Sequence, residues 1–289
     1  MSIVDALEKA KRLAETRADS GRPPGQKRRA ASRMQVASSR AEAPTYPTSD
    51  HEKIEFPALS YDLAVCGNNR IVVPDVESGL ALAAPSYRML RTRILQRCRA
   101  NDWSTLAITS PGPNEGKSVT ALNLAISIAR EGNQDVFLID LDMRNPSICK
   151  YLGLAPPTSS IDEFFAGKAT ARDVFFTVGL ERLTIAGSVV SVGNASELLA
   201  TDHLEELLGF IKELSPHPLI VCDLPPVVNT DDALVVAPRI DALALVVSEG
   251  CTRRDSLQRA LDLLSEFPLA GVILNQSYES VGSEYYSHY

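Results

Sequence analysis

Apolar positions along the chain follow two rhythms. Short, predominantly apolar runs fall at residues 106–109, 136–139, 183–186, 219–222, 242–247 and 271–274, each strand-sized and closed by polar or turn-forming residues. Between them, residues 117–130, 203–214, 231–237 and 253–267 place apolar side chains every three to four positions, which predicts helices. A further helix is expected over 85–97, where Tyr87, Leu90 and Ile94 share a face and Pro85 suits the first turn. Strands that are apolar on both faces and separated by helices predict an α/β fold, with a mainly parallel sheet covered by helices on both sides.

The first 83 residues read differently. In MSIVDALEKAKRL, Ile3, Leu7, Ala10 and Leu13 share one helical face, with charges between them. From Ser20 to Ala43 the chain is rich in Arg, Ser, Pro and Ala and poor in large apolar residues, so it is read as a flexible linker. That basic stretch suits either a solvated tether or attraction to an anionic membrane leaflet. The expected organisation is an N-terminal helix and flexible linker over 1–83, a catalytic domain over 84–275 and a tail over 276–289.

Charge and cysteine usage narrow the function classes. Residues 1–50 carry 10 basic and 6 acidic side chains, leaving 19 basic against 30 acidic in the other 239. An acidic body argues against a nucleic-acid partner, which needs a basic face. The five cysteines are scattered and never form a C-x-x-C pair, so neither a disulfide framework nor a zinc site is suggested, and a reducing cytoplasm fits. No apolar run approaches the roughly 18 residues of a membrane span.

The chemistry concentrates at strand ends. The run 106–109 leads into Pro111-Gly-Pro-Asn-Glu-Gly-Lys-Ser118 and then a helix. In such a phosphate-binding loop, the backbone N–H groups and the helix N-terminus cradle phosphates, Lys117 reaches the β- and γ-phosphates, and Ser118 ligates Mg²⁺. Gly112, Asn114, Glu115, Gly116 and Val119 are therefore candidate nucleotide-binding residues beside Pro113. The second apolar run ends in Asp140-Leu-Asp142-Met-Arg144, and the fourth ends at Asp223, which stands where a P-loop protein holds Mg²⁺. Each Asp could alone be a turn or cap residue.

The strings SPGPNEGKS, VFLIDLDMRNPS and LIVCDLPPVVNTDDAL resemble the Walker A, A′ and B motifs of the bacterial tyrosine kinases, a P-loop NTPase family. NASELLA (194–200) and GVILN (271–275) are similar to further pieces of it. The resemblance implies ATP and Mg²⁺ as cofactors and an autophosphorylating protein-tyrosine kinase that governs capsular or exopolysaccharide synthesis and export. It implies that Lys117 and Ser118 hold phosphates and metal, that Asp142 and Asp223 serve the metal, and that Asp140 accepts the tyrosine proton. Arg144 joins them as a catalytic candidate, and Asn275 is implied to read the adenine edge. Tyr278, Tyr285, Tyr286 and Tyr289 are the implied phospho-acceptors: four of eight tyrosines lie in the last 12 residues, where even spreading would give about 0.3. Also implied are a transmembrane polysaccharide co-polymerase as activator, a protein-tyrosine phosphatase, a homo-oligomer, and a cytoplasmic protein recruited peripherally to the inner membrane face. Two positions depart from the pattern. Pro85 replaces the Glu of the family's ring-forming E-x-x-R-x-x-R helix, whose Arg88 and Arg91 remain, and Pro111 stands where the loop motif has Gly.

Two other readings share the motifs. A Min/Par-type ATPase would use the same fold, but such proteins carry an additional Lys early in the loop, and SPGPNEGKS has none before Lys117. A nucleotide-bound regulatory subunit without transfer would not need Lys117, Asp140, Asp142 and Asp223 together. Neither H-R-D nor D-F-G occurs, which excludes a eukaryotic-type kinase.

Overall fold

The computed structural model describes residues 55–73, 83–130 and 134–277. The expected N-terminal helix, the basic stretch at 20–43 and the tyrosines Tyr278, Tyr285, Tyr286 and Tyr289 lie outside the described residues.

The five central strands follow from the apolar runs: β1 (Thr105–Thr109), β2 (Val136–Asp140), β4 (Leu183–Ala186), β5 (Leu219–Asp223) and β6 (Ala242–Ser248). Helices α2 (Ala84–Asn101), α3 (Lys117–Ala129), α7 (His203–Leu214) and α9 (Arg254–Leu263) follow from the 3.6-residue pattern. With β3 (Phe175–Thr177) and β7 (Leu269–Asn275), the strands form one sheet in the order β3-β4-β2-β5-β1-β6-β7. Only β3 runs antiparallel, against β4. A three-residue edge strand leaves no apolar run long enough to read, which is why the sequence pattern does not predict it.

Every residue of β1, β2, β5 and β6 is buried, as a sheet covered on both faces requires. On one face Leu106, Ile108, Val136, Leu138 and Val221 pack with α2, α3 and α4 (Ile148–Leu152). On the other, Ala107, Phe137, Ile139, Cys222 and Leu245 pack with α5 (Ile161–Phe165), α7 and α9, while α6 (Ala195–Leu199) and α8 (Asp232–Val236) also lie on this side. The chain leaves β1 to join β2 on the far side of β5, so the phosphate-binding loop sits mid-sheet at the strands' carboxyl ends, where open α/β sheets place their ligands.

The structured body reaches back beyond the boundary expected at residue 84. Residues 55–73 pack on it: Leu59 N–H bonds the Thr177 carbonyl at 2.8 Å, and Thr177 N–H bonds the Pro57 carbonyl at 2.8 Å. Asp62 caps α1 (Leu63–Asn68) through the amides of Ala64 and Val65. Cys66, Ile71 and Val73 are buried, and the Asn123 side chain of α3 holds both Val72 N–H and the Arg70 carbonyl. The apolar positions here are too few and too unevenly spaced for a periodic signal. No helix among the described residues is long and apolar enough to cross a membrane.

Candidate functional site

The loop between β1 and α3 is built from both sides. Thr109 Oγ1 donates to the Pro225 carbonyl at 2.7 Å and Val227 N–H to the Ser110 carbonyl at 2.9 Å, binding the loop to the segment after β5. Asn114 (φ +61°) and Gly116 (φ +88°) are left-handed, which turns the chain sharply into α3. Glu115 folds inward and is buried. Its carboxylate accepts the Gly112 N–H at 3.2 Å and the Thr252 hydroxyl at 2.8 Å, and burial pushes its carboxyl up. At the head of α3 the first bonded amide is Thr120, to the Gly116 carbonyl, so the preceding first-turn amides have no partner within the helix.

Beneath the loop, Asp140 and Asp223 are paired neighbours across β2 and β5. Lys117 Nζ lies 2.6 Å from Asp142 Oδ2, 3.5 Å from Asp223 Oδ1 and 3.0 Å from Ser118 Oγ. Burial works to lower the Lys117 pKa, but the charges of Asp223 and Asp142 outweigh it and hold it above its usual value. Asp223 is wholly enclosed. Burial pushes its carboxyl up to about 6 against the pull of Lys117 and a Ser118 hydrogen bond. Its Oδ2 is buried and has no hydrogen-bond partner.

Asp140 is also wholly enclosed. Oδ2 accepts the amides of Ser147 at 2.9 Å and Ile148 at 3.0 Å, and Oδ1 accepts that of Asp142 at 3.2 Å. Burial first, then the Asp223 charge, pushes its carboxyl up to about 7. These bonds brace the 140–148 loop and the head of α4.

Three carboxylates against one ammonium leave this buried cluster with an excess of negative charge. A Mg²⁺ ion fits it. Ser118 and Asp142 would offer it oxygens at the mouth, and the unpartnered Asp223 oxygen would accept from a water that it binds. Among the described residues no three His, Cys, Asp or Glu side chains converge into a cage.

Two candidates lie apart from this convergence. Arg144 is clamped elsewhere: Nε and Nη2 bond both oxygens of buried Asp232 at 2.7 and 3.0 Å, Nη2 also bonds Ser196 Oγ at 2.8 Å, and Nη1 bonds the Gly193 carbonyl at 2.8 Å. Its guanidinium ties the loop after β2 to α6 and α8. Asn275 Nδ2 donates to the Glu115 carbonyl at 3.0 Å, so its amide meets the loop itself. Sequence reasoning did not single out Asp232, Ser196 or Thr252. The first two stand inside the quoted strings NTDDAL and NASELLA, and no local pattern links either of them to Arg144.

No family model matches the chain. Tyrosine-protein kinase YwqD of Bacillus subtilis (strain 168) is 29% identical over 207 residues, covering 71% of this chain and 86% of the relative. Tyrosine-protein kinase CpsD of Streptococcus agalactiae is 28% identical over 199 residues, covering 68% and 85%. The kinase domain of the Escherichia coli tyrosine kinase ETK superposes with a TM-score of 0.63 at 25% identity, over 72% of this chain and 80% of that one. The chain is thus similar to bacterial tyrosine kinases in both sequence and fold. The similarity spans the greater part of the chain, and the matched strings build a loop, a lysine and enclosed carboxylates at the carboxyl ends of the central strands.

Proposed function

We propose that the protein is an ATP-dependent protein-tyrosine kinase that phosphorylates its own C-terminal tyrosines. The observation that carries this reading is the meeting of Lys117, Ser118, Asp142 and the partnerless Asp223 oxygen beneath a loop of backbone amides, in a chain related to tyrosine-protein kinases. The amides and α3 bind the triphosphate of ATP. Lys117, held on Asp142 in the free protein, turns to the β- and γ-oxygens as they arrive. Bound Mg²⁺ offsets charge on the phosphates, and Ser118, Asp142 and, through water, Asp223 would hold it. Phosphoryl transfer through a loose transition state asks mainly for alignment and charge neutralisation. Asp140 contributes by fixing the loop that carries Asp142, a role its three backbone bonds favour over the proton transfer expected of it.

The point where β7 ends supports this reading. Gln276 Nε2 donates to the Asn114 carbonyl at 3.3 Å, so the chain leaves β7 beside the phosphate loop. Ten residues from Asn275 to Tyr285 span at most about 33–36 Å extended, enough for a neighbouring subunit's site as well as its own. The polysaccharide role, the membrane activator, the phosphatase, the homo-oligomer and peripheral recruitment belong to this proposal as implied by the resemblance. The test is phosphotyrosine detection after purified full-length protein meets ATP and Mg²⁺. Signal in the wild type and none in Lys117→Met is expected; ATP hydrolysis without phosphotyrosine would favour the Min/Par-type reading.

A further inference from the structure

We infer that Asn275 and Gln276, where β7 ends, are positioning residues that aim the phosphate-binding amides of Glu115 and Gly116. The inference deepens the proposed function and rests on its placement of the triphosphate in the loop.

Asn275 Nδ2 holds the Glu115 carbonyl at 3.0 Å and Gln276 Nε2 holds the Asn114 carbonyl at 3.3 Å. In a trans peptide the C=O and the following N–H lie in one rigid plane and point in opposite directions. Fixing the carbonyls of Asn114 and Glu115 toward β7 therefore turns the N–H groups of Glu115 and Gly116 the other way. These two amides immediately precede the first-turn amides of α3, and together they make a continuous run of donors of the kind that binds anions. A flipped peptide in this run would present a carbonyl oxygen to phosphate oxygens, so both its loss of attraction and its repulsion would weaken binding.

The surroundings are built for this contact. A Cβ on Gly116 would lie 2.0 Å from Asn275 Nδ2, so the bare glycine is what lets the amide reach its carbonyl. Gln276 is fixed at its other atom, where Ser248 Oγ donates to Oε1 at 2.6 Å. It also adopts φ +55°, a conformation uncommon for a residue with a side chain. Asn275 Nδ2 and Gln276 Nε2 thus each hold a loop carbonyl, and the consequence of removing that bond is the same for any nucleotide.

The test titrates Mg²⁺ complexes of ATP, GTP and inorganic triphosphate into full-length wild type, Asn275→Ala and Gln276→Ala by calorimetry. Each variant is expected to bind all three ligands about three- to tenfold more weakly, by a similar factor. In transfer assays the rise in KM for ATP should exceed the fall in kcat. Losses confined to ATP, or affinities equal to wild type for triphosphate, would overturn the inference. Base-independent losses without any tyrosine transfer would support it while defeating the kinase reading alone. Failure of the wild type to bind any of the three would overturn both.

Discussion

Replacing Lys117 by Met removes the one cation among three enclosed carboxylates. In the free protein Lys117 sits 2.6 Å from Asp142 and 3.5 Å from Asp223, and its side chain is 11% exposed. Removing one partner of a buried ion pair costs about 3–5 kcal/mol because the remaining charge is left uncompensated. The low end suits a site at the mouth of a loop. For a domain of this size, about 3 kcal/mol corresponds to a melting temperature lower by roughly 6–12 °C. The loss should depend on pH in a definite direction. Asp140 and Asp223 have raised folded-state values, about 7 and about 6, against an ordinary 3.8. Between that ordinary value and the raised ones the folded state binds more protons than the unfolded chain, so their contribution to stability falls as pH rises through the window. Without Lys117 both values move further up and the fall steepens. Scanning calorimetry of the ligand-free protein at pH 5.5 and pH 8 should therefore show a small Lys117→Met deficit at the lower pH and a large one at the higher. Equal deficits at both, or none at pH 8, would refute the electrostatic account of the cluster.

Other outcomes follow from the same contacts. Asp142→Asn should lower Mg²⁺-ATP affinity more than Asp140→Asn in calorimetric titration, while Asp140→Asn should chiefly lower the melting temperature through the amides of Ser147 and Ile148. Arg144→Ala leaves buried Asp232 without its bidentate partner and should cost about 3 kcal/mol in denaturant unfolding, with nucleotide affinity changed little. Mg²⁺ competes with protons at Asp223, so metal affinity should fall as pH drops below about 6. A chain starting at residue 74 should be less stable than one starting at 55 by about 3–6 kcal/mol, from the lost burial of Ile71 and Val73.

The sequence exposed the sheet's interior and the centre of the site because both write themselves as local patterns. Strands buried on two faces give continuous apolar runs, and Lys117, Ser118, Asp140, Asp142 and Asp223 each stand next to the end of such a run or the start of a helix. What joins distant segments was not legible. The edge strand β3 is three residues long, and 55–73 is held by backbone bonds and the Asn123 side chain, which leave no periodicity. Arg144 follows the paired carboxylates in sequence, but its partner Asp232 lies 88 positions away. Asn275 ended the last strand where expected, but that its amide meets Glu115 rather than open space depends on how β7 is placed beside the loop.

The central claim is that this buried cluster transfers phosphoryl groups to the C-terminal tyrosines, and mapping the transferred phosphate tests it most directly. Full-length protein would be incubated with γ-labelled ATP and Mg²⁺ and digested, and the label located by mass spectrometry. The account predicts phosphate on Tyr278, Tyr285, Tyr286 or Tyr289, absent in Lys117→Met and mostly lost when all four become Phe with ATP binding intact. Label on Tyr46, Tyr61, Tyr87 or Tyr151 instead, or on no tyrosine while ATP is hydrolysed, would contradict it.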